Sequence, residues 1–339
     1  VIKKLLTDKD ITMKLLKLRS LFLWTLQALC LAGSLFCLPA IAAQAQPELY
    51  VKTYGNPAKP ALLYIHGGPR GNSTLFEGTT AQALADRGFY VIVYDRRGEG
   101  RSADSGATFT FDEAFTDLNA LLSSLKLSKV NLLGHSFGGI VASLYSEKHP
   151  EKIQRLLLIG ALVNQQQSYD HILQTATASG SQQTNPTIVQ QVQAIQALDK
   201  NSAQYRGLTY QLAAELGYFR MPNPTAEYRQ LTAQYQNSTA GKNNIRNDQA
   251  PVEFYRNEAR VNIDTTSALK RIKASGIGLY ALYGKQDGIF SEPQLSQLQQ
   301  LTGPTKFALI DNCSHYPFVD QQQAFLDQIE HWMLDSLGK

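Results

Sequence analysis

The sequence predicts an α/β fold: a mostly parallel sheet with helices on both faces and a helical cap inserted between two of its strands. Three observations predict it. Seven short apolar runs rich in Val, Ile, Leu and Tyr recur along the chain, amphipathic stretches separate them, and the rhythm breaks between about Leu162 and Thr266.

The predicted strands, in order, are LYVKTY (49–54), ALLYIH (61–66), YVIVYD (90–95), KVNLLG (129–134), IQRLLLIG (153–160), IGLYALYG (277–284) and KFALID (306–311). Continuous apolar runs of this length suit parallel strands buried on both faces. Residues 112–127, the stretch after Gly139 and residues 324–337 carry apolar residues at helical spacing, which makes them covering helices. Residues 162–266 are rich in Gln, Asn, Thr and Tyr and hold no apolar β run. Helix-compatible stretches at 187–199 and 209–219, punctuated by Pro186, Pro222, Pro224 and Pro251, read as the cap. Regularly spaced Leu, Ile, Tyr and Phe favour packing there over a disordered linker. The division is therefore an N-terminal extension and signal over 1–45, core over 46–161, cap over 162–266 and core again over 267–339.

A chain of 339 residues is ample for a large core with an insertion, and 43% hydrophobic with 18% charged residues is ordinary globular composition. The net charge of +4 is localised: residues 1–45 hold six of the 32 Lys and Arg residues against two of the 28 Asp and Glu. The remainder balances, with no basic run to engage nucleic acid. The same segment reads as an export signal: basic residues from Lys14 to Arg19, an apolar run from Leu21 to Leu38, then PAIAAQAQ, with cleavage after Ala43 or Ala45. A periplasmic or secreted protein without stable membrane association follows, or an anchored one if cleavage does not occur, since Leu21 to Ala43 is long enough to span. Met13 directly precedes this pattern, so either Val1 or Met13 suits the start. Cys30 and Cys37 fall in the signal and leave Cys313 alone, which excludes an intramolecular disulfide after cleavage.

The chemistry concentrates in VNLLGHSFGG (130–139), where a strand runs into Gly134-His135-Ser136-Phe137-Gly138 and then a helix. G-x-S-x-G in that context is a strand-to-helix turn that exposes a serine above the sheet and leaves the Phe137 amide free for a developing oxyanion. His135 reads as a packed neighbour. A serine hydroxyl needs a positioned base. Of six histidines, His315 in DNCSHYPFVD follows the last strand, where the chain order Ser, acid, His requires it. Asp287 in LYGKQDGIF is the predicted acid; its competitor Asp311 reads as structural.

These residues resemble the α/β-hydrolase superfamily, and within it the proline iminopeptidase-like serine peptidases. His66-Gly67-Gly68-Pro69, DRRGEGRS (95–102), GHSFGG (134–139) and the Asp287 and His315 loops carry the resemblance, over nearly all the chain beyond residue 45. It implies an α/β-hydrolase fold, a Ser136-His315-Asp287 triad and an oxyanion hole from the Gly68 and Phe137 amides. It also implies cap glutamates that bind a substrate amino terminus: Glu215, in ELGYF, matches that motif, with Glu253 and Glu258 as further carboxylates. The chain departs from the group at Arg70, which replaces a glycine, and at Phe137, which replaces Trp. Arg70 either narrows the pocket, receives a substrate carboxylate or points into solvent. No metal or organic cofactor is required.

The function expected is hydrolysis of a small amide or ester through an acyl-enzyme, with removal of an N-terminal proline or another small residue from a short peptide as the specific form. A carboxylesterase or lactonase uses the same chemistry. A non-catalytic ligand-binding protein on the same fold is the rival of another class, and an intact Ser, Asp and His set argues against it. A structural envelope protein would need repeats, and none is present.

Overall fold

The structure, a computed structural model, describes residues 48–178 and 185–334. The export signal or anchor expected in residues 1–45 lies outside them. No helix among the described residues is long and apolar enough to cross a membrane.

Seven strands form one sheet: β1 (Val51–Tyr54), β2 (Ala61–Ile65), β3 (Tyr90–Tyr94), β4 (Val130–His135), β5 (Ile153–Ile159), β6 (Gly278–Gly284) and β7 (Phe307–Ile310). Their order across the sheet is β1-β3-β2-β4-β5-β6-β7, with β1 antiparallel to β3 and every other pair parallel. β2 through β4 are buried along their whole length. Alternation divides the core in two. Leu63, Ile65, Ile92, Leu132 and Leu158 face one layer, with α1 (Phe111–Ser124), α2 (Phe137–Lys148), α8 (Thr266–Ala274) and α9 (Glu292–Thr302) against it. Leu62, Tyr64, Val91, Leu133 and Leu157 face the other, with Phe76, Leu84 and α10 (Gln322–Met333). Each fully buried aliphatic side chain stabilises the fold by about 2 kcal/mol before entropy is subtracted.

Between β5 and β6 the chain leaves the sheet as α3 (Gln165–Thr177), α4 (Pro186–Gln196), α5 (Ala203–Glu215), α6 (Ala226–Asn237) and α7 (Ala250–Asn257). Tyr169, Leu173, Val192, Ile195, Tyr205 and Leu212 give α3, α4 and α5 a small core of their own. An antiparallel bridge between Asn164 and Asp264, flanked by Gln165 N to Ile263 O (3.0 Å) and Thr265 N to Val163 O (2.8 Å), ties the ends of this excursion together. The insertion thus leaves and rejoins the core at one point.

β2 pairs with β3 on one side and β4 on the other, so the chain direction across the sheet reverses at β2 and β4. Open α/β sheets place ligands at the carboxyl ends of strands at such a point. The loops after β2 and β4 are therefore neighbours, which decides where the site forms.

Candidate active site

Ser136 lies directly between β4 and α2 with φ 53° and ψ −123°. A non-glycine residue there carries on the order of 1–3 kcal/mol of strain, so the surroundings must hold it. They do so through three main-chain bonds: Ser136 N donates to Ile159 O (3.1 Å), and Ser136 O accepts from Gly139 N (3.0 Å) and Leu162 N (3.1 Å). The flanking glycines are needed for approach rather than flexibility. A Cβ on Gly138 would lie 2.2 Å from Ile65 O, and one on Gly134 would lie 2.7 Å from Gly139 Cα. Helix and strands touch backbone to backbone, and Ser136 stays partly exposed while its neighbours are buried.

His315 follows β7 and Asp287 follows β6. The structure joins them: His315 Nδ1 donates to Asp287 Oδ2 at 2.8 Å, with the histidine 2% and the aspartate 5% exposed. The ring is fixed on several sides by Phe219 (5.1 Å between centroids), Tyr316 (5.2 Å) and His135 (4.9 Å). Gly160, with φ 46°, lies beneath the pair; a Cβ there would meet His315 Nδ1 at 3.5 Å and Asp287 Oδ2 at 3.6 Å. Ser136 Oγ makes no hydrogen bond with a described residue. Bonds of this kind commonly tighten only in the substrate complex.

His135 does more than pack. Its Nε2 donates to the main-chain oxygen of His315 at 2.9 Å, which fixes the backbone carrying that ring. Burial first, and the neighbouring His315 second, push the His135 imidazole well below its usual range, so it is neutral.

The loop after β2 is braced from below. His66 Nδ1 donates to Gly67 O (2.7 Å) and its Nε2 accepts from Arg96 N (3.0 Å), which fixes a neutral tautomer; burial, then the Arg96 charge, lower its pKa to about 3. Arg96 donates to the main-chain oxygens of His66 and Gly67 and pairs with Glu99 (3.0 Å), while Glu99 Oε2 accepts from Arg70 N (2.7 Å). A Cβ on Gly68 would fall 2.3 Å from Arg96 Nη2 and 2.9 Å from Glu99 Oε2, so a larger residue would displace this buried pair. The rest of DRRGEGRS is engaged as well: Arg97 with Asp117 (2.6 Å) and Asp104 (2.9 Å), and Arg101 with Asp95 (2.7 Å) and Glu77 (2.6 Å). Of these charges, Arg96 and Glu99 touch the His66–Arg70 turn directly, while Arg97 and Arg101 fix the loop itself. Gly67 in that turn faces the serine: its Cβ would lie 3.2 Å from Ser136 Cβ.

Residues 60–322 match the family described as alpha/beta hydrolase fold. The chain is an α/β-hydrolase. It is 38% identical over 120 residues to a proline iminopeptidase of Lactobacillus helveticus, covering 34% of this chain and 40% of that one. It is 32% identical over 126 residues to a non-heme haloperoxidase of Rhodococcus erythropolis, covering 37% and 44%. These matches span about two fifths of the length of those relatives. A crystal structure of a proline iminopeptidase-related protein of Thermus thermophilus superposes with a TM-score of 0.57 at 25% identity, covering 84% of this chain and 92% of that one.

In this α/β-hydrolase the expected cap carboxylates do not form a buried amine receptor. Glu215 lies on the solvent side of α5 and accepts from Gln211 Nε2 (2.9 Å), and Glu253 pairs with Arg256 (2.7 Å) in α7. Glu258 is buried but bonded to Phe111 N (2.9 Å) and Arg260 (2.9 Å), closing the start of α1. Of the three expectations for Arg70, the structure favours the surface one: half exposed, it pairs with Asp248 (2.6 Å). Asp311, 78% exposed, pairs with Lys285 (2.8 Å) and plays no part with His315. Phe137 is buried against Phe111 and Phe254 (6.0 and 5.3 Å), so its side chain belongs to the core while its amide opens α2. No cluster of three or more His, Cys, Asp or Glu suited to a metal exists among the described residues. Sequence reading missed Arg206, which reaches from α5 to donate to Gly68 O at 2.6 Å. An isolated arginine in a helix whose apolar residues are spread around it carries no signal that it turns inward.

Proposed function

We propose that this α/β-hydrolase cleaves a small ester or amide through an acyl-enzyme on Ser136. One observation carries the reading: the buried 2.8 Å bond between His315 Nδ1 and Asp287, two loops from the strained turn that presents the serine at the same sheet edge. Ser136 Oγ attacks the acyl carbon while His315 Nε2 takes its proton, and Asp287 keeps Nδ1 protonated and stabilises the imidazolium. The charge that develops on the carbonyl oxygen is held by the Phe137 and Gly68 amides, neither of which has a hydrogen-bond partner among the described residues. His315 returns the proton to the leaving group, then activates water to release the acyl group.

The peptidase form of this reading is supported by the similarity to the Lactobacillus helveticus proline iminopeptidase over 120 residues. The exposed Glu215 and the paired Glu253 do not add to it. Steady-state hydrolysis of proline and alanine arylamides, their N-acylated forms and simple aryl esters tests both levels. Ser136→Ala and Asp287→Asn should each lower kcat/KM by about 10³-fold or more with KM little changed. Full activity in Ser136→Ala would refute the mechanism, and preference for N-acylated substrates would refute amine recognition.

A further inference from the structure

Arg206 is 8% exposed and meets no carboxylate among the described residues. Among the described residues its one hydrogen bond goes to Gly68 O, its Nε is buried without a partner, and it makes no ion pair. Burying a guanidinium without a counter-charge is costly, and native cores rarely leave one so. The hydroxyls of Tyr169 and Tyr210 are likewise buried without a well-formed hydrogen bond, beside each other, the Tyr255 phenol and the Arg206 guanidinium, which lies over the Tyr210 ring at 5.1 Å. Burial keeps all three phenols above their usual range, so they remain protonated donors at neutral pH. Asp287, whose charge reaches Tyr210, is committed to His315.

This donor-rich cluster borders the site on both sides. Through Gly68 it touches the oxyanion loop, and through Tyr210 against Phe219 (6.2 Å) and Phe219 against His315 (5.1 Å) it reaches the base. We infer that Arg206, Tyr169 and Tyr210 receive a carboxylate, so that the ester or amide cleaved at Ser136 carries a second, anionic end. The inference rests on the hydrolase reading for its substrate. A planar guanidinium with flanking hydroxyls matches a carboxylate, which only accepts hydrogen bonds, whereas a substrate ammonium would meet like charge.

The test is calorimetric binding to Ser136→Ala protein near neutral pH, with two matched pairs. These are the 4-nitrophenyl monoester of glutaric acid against its methyl diester, and prolylglycine against prolylglycinamide. At least one carboxylate should bind about ten-fold tighter than its neutral partner, and Arg206→Gln should reduce that preference below about two-fold. Near-equal binding within both pairs overturns the inference, as does a preference that Arg206→Gln leaves intact. If Arg206→Gln does not fold, Tyr210→Phe keeps the Gly68 tether and should cut the preference about three-fold; an unchanged preference overturns the inference. Fluorophosphonate labelling of wild-type Ser136 separates the two levels: equal binding with labelling sinks the carboxylate receptor alone, and a folded chain that never labels sinks the hydrolase reading.

Discussion

At the scale of single residues, the sequence marked Ser136, Asp287 and His315 because each follows its own apolar strand in a fixed order. Position alone could not assign His135, which shares the serine's turn. Its part appears only once His315 O is found 2.9 Å from its Nε2. That part has a thermodynamic signature. In the unfolded chain His135 takes up a proton as pH falls through about 6.5, whereas in the folded chain burial keeps it neutral, so the unfolded state binds more protons and stability drops as the solution is acidified. Between about pH 7.5 and 5 this residue alone removes about 2 kcal/mol. Urea unfolding of His135→Gln should show a correspondingly shallower loss over that interval than the wild type; an identical loss would mean that His135 is protonated in the fold. Other groups cancel in the comparison, including Asp320, whose carboxyl burial raises to about 6.

At the scale of elements, the turn after β2 and the DRRGEGRS loop after β3 act as one unit. The motif was visible as a string, but its purpose was not, because groups it bonds, among them Glu77, Asp117 and the main chain of His66 and Gly67, lie in other segments. Glu99 is the joint: 3% exposed, it holds Arg96 by two bonds and the Arg70 amide by a third. Glu99→Gln leaves a buried arginine without its counter-charge, which costs about 3 kcal/mol in comparable cases. The loss should register both in urea unfolding and as a fall in kcat larger than any rise in KM on an aryl ester, since the Gly68 amide is positioned through this joint. A stability loss with unchanged kcat would detach the loop from catalysis. The cap elements were the least readable. In α5, Tyr205, Leu208, Tyr210, Leu212 and Ala213 spread apolar character around the helix, so no face announced itself. Glu215 thus resembled a receptor motif yet faces solvent, while Arg206 faces the site.

At the scale of the whole molecule, the sheet was readable because parallel strands covered on both faces appear as unbroken apolar runs, and all seven runs formed strands. Strand order was not, since it depends on pairings across more than a hundred residues, such as β5 with β6. That order makes β2 and β4 neighbours at the reversal point and turns separate motifs into one site. The central claim is that the assembled site activates Ser136. Intact-mass and peptide mapping after exposure to a fluorophosphonate tests it directly. The wild type should take up one equivalent on the peptide containing Ser136, at a rate at least about 100-fold above that of His315→Gln; a folded wild type that stays unlabelled, or that labels elsewhere, would contradict it.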